Sequence, residues 1–251
     1  MEKPRTVAII PSRLESSRLR GKALLDICGL PMIVHVFKRC EFSEYLDEVF
    51  VATDNDEIRQ AVEQYGGKVI MTSSYHKNGT ERIAEAAKNI DADIVVNVQG
   101  DEALVNPTHI DVAVNALIKD QNVNVAILVN QFSKRNSPSD IKTVLDEENN
   151  VMYLSRSDIP SDTRTKNPPM LKAYHILPFR KEFLLKYASW EKGYLEQIEY
   201  HEHLRILEKG YNIRAVRVDS HAISVDTKQD LITVRKLMKT DKLRLSYTHP
   251  L

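Results

Sequence analysis

Four cations fall within ten residues near the start of the chain. They are Arg13, Arg18, Arg20 and Lys22, directly after the apolar run Val7-Ala8-Ile9-Ile10. Guanidinium forks grip phosphate oxygens two at a time and an ammonium adds a point charge, so such a loop suits a triphosphate. It is not a Walker A loop: Gly21-Lys22 is followed by Ala23, where that pattern needs Ser or Thr, and no Gly precedes it in the loop. No GxGxxG run is present either. A solvated basic surface explains the same residues, and their types alone leave both readings open.

A second candidate is Val95–Glu102, VVNVQGDE. An apolar strand delivers Asp101 at its tip, and Gly100 permits close backbone approach. A carboxylate there suits Mg²⁺, which takes few protein carboxylates plus phosphate oxygens; Gly-Asp is equally ordinary turn chemistry. The third candidate is Ser224–Asp230, SVDTKQD. Asp226 is a possible metal carboxylate or only an acid at a helix start, and Thr227 with Asp230 has the spacing of a capping box. Arg156 follows Tyr153-Leu154-Ser155 at a strand end and could grip a carboxylate or be solvated. His201-Glu202-His203 is not HExxH, because position 205 is Arg. Read as one helix, it points His201 and His203 to different faces, which speaks against a zinc pair. No Ser-His-Asp set and no cysteine nucleophile stand out.

The elements that must position these residues alternate. Arg5–Pro11, Glu48–Thr53, Lys68–Met71 and Asp93–Val98 read as strands. Between them, Pro31–Cys40, a stretch capped by Asp54 and ending at Gly66-Gly67, and Thr80–Asn89 read as helices. Short apolar strands separated by amphipathic helices predict an α/β fold with a mainly parallel sheet covered on both faces. Ligands of such sheets sit at the carboxyl ends of the strands, where both the Arg13–Lys22 loop and Gln99-Gly100-Asp101 fall. The second half is less regular. Val123–Gln131, Lys142–Leu145, Leu171–Phe179 and Asn212–Val218 read as strands; a helix begins at Phe183–Tyr187, Leu195–Lys209 reads as a longer one, and a last one runs from Asp226 to about Lys239. Arg156–Pro169 is a loop, and the tail from Thr240 is polar.

The totals bound the partners. The chain has 251 residues and 42% hydrophobic content, enough for one sizeable domain. Lys+Arg and Asp+Glu are 35 each, so nothing global favours nucleic acid or an anionic membrane. Cys28 and Cys40 have no metal-ligand spacing and read as reduced thiols of a cytoplasmic protein. The N-terminus reads as a strand and not a signal peptide, and no run approaches the roughly 20 apolar residues of a membrane helix.

Taken together, IIPSRLESSRLRGKALLDI, LPMIVHVFKR, VFVATDNDEI, GGKVIMTSSYHKNGTERI, IVVNVQGDE, YLSRSDIP and VDTKQDL resemble the 3-deoxy-manno-octulosonate (Kdo) cytidylyltransferases, in order and spacing, over roughly residues 5–240. The resemblance implies a Rossmann-like nucleotidyltransferase fold as one domain over 1–251. About 1–105 would form a CTP-binding half and about 106–240 a smaller sugar-binding and dimerisation half. It implies transfer of CMP from CTP to the anomeric hydroxyl of a sugar acid, with release of pyrophosphate. By this resemblance Asp101 and Asp226 hold Mg²⁺, and Lys22, Arg13 and Asp101 carry catalysis. CTP is held by Arg13, Ser17, Arg18, Lys22, Ser73, His76, Asn78, Gly79, Gln99 and Gly100; the sugar acid is held by Gln99, Arg156, Arg164, His175, Glu202 and His203. A cytoplasmic homodimer serving lipopolysaccharide or capsule assembly is expected, without nucleic acid or membrane partners.

Departures from the family pattern cluster on the sugar side. Ala173 stands where the family has His, His175 where it has Gly, Leu177 where it has Tyr, and His203 where it has Gln. Arg20, Ala23 and Ala103 each replace a Pro. Polar pockets discriminate strongly through unmade hydrogen bonds. A related acceptor, such as 8-amino-Kdo or a nonulosonate-like acid, is therefore the alternative. A metal-dependent nucleotide-sugar glycosyltransferase is disfavoured by the absence of DxD at Gly100-Asp101-Glu102-Ala103. A non-catalytic nucleotide-binding protein is disfavoured by the joint presence of Lys22, Asp101 and Asp226.

Overall fold

A computed structural model describes residues 3–15, 19–76, 78–219 and 223–248. The chain forms two units: Met1–Asp111 with Ala222–Leu251, and Val112–His221.

In the first unit, β1 (Thr6–Ser12) is followed by a 3₁₀ turn at Lys22–Leu24 and a two-residue hairpin pair, β2 (Asp26–Ile27) and β3 (Leu30–Pro31). Then come α1 (Met32–Cys40), β4 (Glu48–Thr53), α2 (Asp56–Gln64), β5 (Lys68–Met71), α3 (Gly79–Ala87) and β6 (Ile94–Val98). Within this unit the strands lie in the order β6-β1-β4-β5, and every pairing is parallel. Thr6–Ile10 and Ile94–Val98 are fully buried, as strands covered on both faces must be. The expected parallel sheet is therefore present, with its helices between the strands.

Helix α2 is capped one residue later than the sequence suggests. Asn55, not Asp54, accepts from the Ile58 amide at 3.0 Å. Asp54 instead takes the Arg82 guanidinium at 3.2 Å.

Helix α4 (Pro107–Lys119), which the sequence reading did not identify, leads into the second unit. That unit holds β7 (Ala126–Phe132), β8 (Lys142–Leu145), β9 (Val151–Ser155), β10 (Met170–Tyr174), β11 (Ile176–Arg180), α5 (Lys181–Ala188), α6 (Tyr194–Glu199), α7 (Leu204–Glu208) and β12 (Arg214–Arg217). One sheet has the order β12-β7-β10-β8-β9, antiparallel except between β12 and β7. Two expectations are corrected here. Leu171–Phe179 is not one strand but β10 and β11, parted at His175. The single helix expected over 195–209 is α6 and α7, because Tyr200 adopts a left-handed conformation with φ 50°, which ends an α-helix.

Helices α8 (Lys228–Lys239) and α9 (Lys242–Thr248) belong to the first unit, so the described part of the polar tail is largely helical. Thr227 and Asp230 form the expected capping box: the Asp230 amide donates to Thr227 Oγ1 at 3.2 Å, and the Thr227 amide to Asp230 Oδ2 at 2.8 Å. Val225, Leu231, Val234 and Met238 pack with Ile27, Met32 and Ala103. Each fully buried aliphatic side chain of this kind contributes about 1.5–3 kcal/mol. This cluster brings the segment before α8 against the loop after β6.

Candidate active site

The packing just described has a chemical result. Val225 and Ala103 are in the core, so Asp226, one residue after the first, and Asp101, two residues before the second, are held side by side. Two further bonds fix the pair. The Val225 amide donates to the Asp101 carbonyl at 3.1 Å, and Ser224 Oγ donates to the buried Glu102 carboxylate. The helix cap uses the side chains of Thr227 and Asp230, while the Asp226 carboxylate meets Lys22.

Lys22 comes from the loop after β1. Gly21, at φ 66°, turns the chain there, and its amide donates to the Leu14 carbonyl at 3.1 Å; a left-handed residue favours glycine. Ala23 is buried, so the backbone at Lys22 is anchored. Lys22 Nζ donates to Asp101 Oδ2 at 2.5 Å, to Asp226 Oδ1 at 3.2 Å and to the Val225 carbonyl at 3.4 Å. The side chains of Lys22 and Asp101 are each 20% exposed and that of Asp226 is 27% exposed. Burial alone would lower the lysine pKa; the charge of Asp101, its hydrogen bond and the Asp226 pair outweigh this and hold it above its ordinary value. Three residues, the outer two 204 positions apart in sequence, thus form one charged centre.

Gln99 and Gly100 shape the adjoining wall. A Cβ on Gly100 would lie 2.9 Å from the Pro11 carbonyl oxygen, and one on Gly79 would lie 3.1 Å from Pro11 Cγ. The ends of β1 and β6 therefore approach too closely at Gly100 for a side chain, and the start of α3 leaves little room for one at Gly79. Gln99 Nε2 donates to Asn97 Oδ1 at 3.1 Å, and Asn97 is itself fully buried.

The 72–82 segment is braced by α3. Asn78 caps the helix, its Oδ1 accepting from the Glu81 amide at 2.8 Å. The Ser73 amide and hydroxyl donate to Glu85 at 3.1 and 3.0 Å, and His76 Nε2 meets the same carboxylate. Burial would raise the Glu85 pKa, but the bonds from His76 and Ser73 hold it below the usual range. Arg82 donates to Thr72 Oγ1 at 2.6 Å. Arg82, Glu85, Glu102 and Ser224 were missed by sequence reasoning. Only their neighbours His76, Asp101 and Asp226 carried a chemical signal: Glu102 and Ser224 meet across 122 positions, and Arg82 and Glu85 reach back to Asp54, Thr72, Ser73 and His76 at spacings that form no motif.

Arg13 is exposed on the loop after β1, and Ser17 and Arg18 lie outside the described residues.

The remaining predicted positions belong to the second unit. Arg156 is engaged by backbone: Nε donates to the Glu199 carbonyl at 2.8 Å, and its terminal nitrogens to the carbonyls of Pro138 at 2.7 Å and Tyr200 at 3.1 Å. Arg164 is exposed on the 156–169 loop. His175, His201 and His203 form a cluster. Ring centroids are 5.1 Å apart for His201–His203, 5.9 Å for His175–His201 and 6.5 Å for His175–His203. The expectation that His201 and His203 point apart is corrected: the helix breaks at Tyr200, so helical face arithmetic does not apply. Burial, then the neighbouring charges of His175 and Arg205, push the His203 pKa down to about 3. Burial, then His203 and His175, push that of His201 well below its ordinary value. Both rings are neutral at pH 7. Among the described residues no hydrogen-bond partner reaches either nitrogen of His203 or Nε2 of His201. Glu202 is half-buried beside them.

Comparison with known proteins finds relatives over most of the chain. The family pattern described as Cytidylyltransferase matches residues 7–215. A 3-deoxy-manno-octulosonate cytidylyltransferase of Geotalea uraniireducens is 41% identical, with 92% of this chain and 98% of the relative covered. One from Chlorobium phaeobacteroides is 39% identical, over 94% of this chain and 98% of the relative. A solved structure of CMP:2-keto-3-deoxy-manno-octonic acid synthetase complexed with CTP superposes with TM-score 0.90 at 38% identity, covering 94% of this chain and 98% of that one. A cytidylyltransferase of Leptospira borgpetersenii, 18% identical, shares the fold with TM-score 0.67 over 98% of this chain and 91% of its own.

Proposed function

The chain belongs to the 3-deoxy-manno-octulosonate cytidylyltransferase family, and on that premise we propose that it transfers CMP from CTP to the anomeric hydroxyl of Kdo or a close 2-keto-3-deoxy sugar acid. The observation that carries this reading is the meeting of Lys22 with Asp101 and Asp226 at the carboxyl end of the parallel sheet. Open α/β sheets bind their ligands at that end.

The donor set fits a hard divalent cation. Two carboxylates converge on one positive charge, and both are partly open to solvent. Among the described residues no group of three or more His, Cys, Asp or Glu is arranged as a metal site. Mg²⁺ held by Asp101 and Asp226 would therefore complete its shell with water and phosphate oxygens. When bound, it supplies charge neutralisation at the reacting phosphates.

The chain's own residues do the rest. Lys22, with Arg13, Arg18 and Ser17 of the same loop, holds the triphosphate and offsets charge as pyrophosphate departs. Gly79 and Gly100 let the nucleotide approach the backbone, and Ser73, His76 and Asn78 fix the segment against its base and ribose. Gln99, Arg156, Arg164, His175, Glu202 and His203 orient the acceptor. The sugar hydroxyl oxygen forms the new bond to the α-phosphorus and gives its proton to solvent, while the bond from that phosphorus to the oxygen bridging the β-phosphate breaks and the oxygen leaves with pyrophosphate. Positioning of the two reactants is the main source of rate. Among the described residues no helix is long and apolar enough to cross a membrane; a cytoplasmic homodimer is part of the proposal, and light scattering gives its mass.

The test is pyrophosphate release from CTP and Mg²⁺ across Kdo, 8-amino-Kdo and sialic-type acids. Best turnover of Kdo means that Ala173, His175, Leu177 and His203 are tolerated in its pocket. Best turnover of another acid assigns those positions to a different acceptor. No release with any acid contradicts the proposal.

A further inference from the structure

Resting on the reading that Asp101 and Asp226 hold a divalent cation, we propose that Lys22 is the built-in counter-ion of this carboxylate pair, so that the cation is taken up with the nucleotide and not before it. Lys22 Nζ lies 2.5 Å from Asp101 and 3.2 Å from Asp226. It therefore uses one oxygen of each carboxylate. A divalent cation on these same oxygens would stand at contact distance from an ammonium, and like charges so close repel strongly.

The lysine has a long flexible stem, whereas the backbone carrying the short Asp101 and Asp226 side chains is tied down. Its backbone is fixed by left-handed Gly21, the Gly21–Leu14 bond and buried Ala23. Its side chain is a flexible four-carbon stem, and an ammonium takes phosphate oxygens as readily as carboxylates. Asp101 and Asp226 stay paired through the Val225–Asp101 bond, the Ser224–Glu102 bond and the shared core. Triphosphate oxygens offer Lys22 a new partner and release both carboxylates in the same event. Each ligand then favours the other by the same factor, as linkage requires.

The counter-ion role has an unusual sign. A catalytic lysine is removed, yet the nucleotide-free protein should bind its cation more tightly. The experiment is Mn²⁺ titration followed by electron paramagnetic resonance, without and with CTP, in wild type, Lys22→Met and Lys22→Arg. Asp101→Asn provides the subtraction for Mn²⁺ held by CTP alone. Wild type is expected to gain about tenfold or more in Mn²⁺ affinity on adding CTP, a coupling of ordinary size. Nucleotide-free Lys22→Met is expected to bind Mn²⁺ about tenfold more tightly than nucleotide-free wild type and to gain little from CTP. Lys22→Arg keeps the charge and should follow wild type.

Equal or weaker Mn²⁺ binding in folded Lys22→Met, with wild type still gaining from CTP, overturns the counter-ion role alone. If Lys22→Met does not fold, the wild-type comparison decides, because Mn²⁺ affinity independent of CTP overturns the role too. No protein-dependent Mn²⁺ binding in wild type under either condition overturns the cation site itself, and the counter-ion role with it.

Discussion

The two units each hold a polar cluster partly or wholly out of water, and they solve its cost in opposite ways. In the first, Lys22, Asp101 and Asp226 keep their charges and compensate them at 2.5 and 3.2 Å. In the second, His201 and His203 give up their charge, and three ring nitrogens have no hydrogen-bond partner among the described residues, the Glu202 carboxylate standing 3.9 Å from His203 Nε2. A compensated charge is expensive to disturb, since removing one partner strands the other. A neutral unpartnered group already carries its desolvation penalty, and removing it can stabilise the fold. The first arrangement is what electrostatic catalysis needs. The second offers hydrogen bonds rather than charge to whatever it meets.

The largest expected effect comes from breaking the charged centre. Asp101→Asn should lower kcat by about 10³-fold, in line with the loss of a preorganised electrostatic group. Circular dichroism should be unchanged, because Asn is isosteric. Activity within a few-fold of wild type would remove Asp101 from the machinery. Gly100→Ala leaves every charge in place but puts a methyl 2.9 Å from the Pro11 carbonyl. The forced shift should cost about 10²-fold in kcat/KM for CTP, as small misplacements do, and unaltered kinetics would show that the backbone yields there.

The smallest effect has the opposite sign. His203→Leu removes two unpartnered buried nitrogens and should raise Tm near neutral pH by a few degrees, about 1 kcal/mol. It should also alter the pH dependence. A histidine held neutral in the fold at a pKa of about 3 binds fewer protons than in the unfolded chain, where it titrates near its ordinary value of 6.5. Stability is therefore full above pH 6.5 and falls as pH drops from 6.5 towards 3. Thermal melts between pH 7.5 and 5.5 should show a shallower decline in His203→Leu than in wild type. Parallel declines would mean that the ring protonates in the folded state.

The same contrast governs what could be read from the sequence. The parallel order of the first unit followed from local signals: apolar runs such as Ile94–Val98, Pro31 at the start of α1, and Gly66 after α2. The three residues of the charged centre were also legible, each from its own short motif and then from the family resemblance. The bonds that make them one site were not, because Val225–Asp101 and Ser224–Glu102 join positions more than 120 residues apart. In the second unit the helical period misled. A uniform helix over 195–209 separates His201 from His203, but a single left-handed residue at Tyr200 undoes that arithmetic. Such a kink at Tyr has no composition signal. The helix at 107–119 was overlooked although its signals were present: Pro107 at its start and Ile110, Ala113, Val114 and Leu117 at helical spacing, all four buried.

The central claim is CMP transfer at the Lys22–Asp101–Asp226 centre, and phosphorus NMR of the protein with CTP, Mg²⁺ and Kdo tests it most directly. The account predicts loss of the three CTP resonances with matched growth of pyrophosphate and one phosphodiester signal, dependent on the sugar acid and absent with Asp101→Asn. Pyrophosphate without a phosphodiester, or a phosphodiester formed equally well by Asp101→Asn, would contradict it.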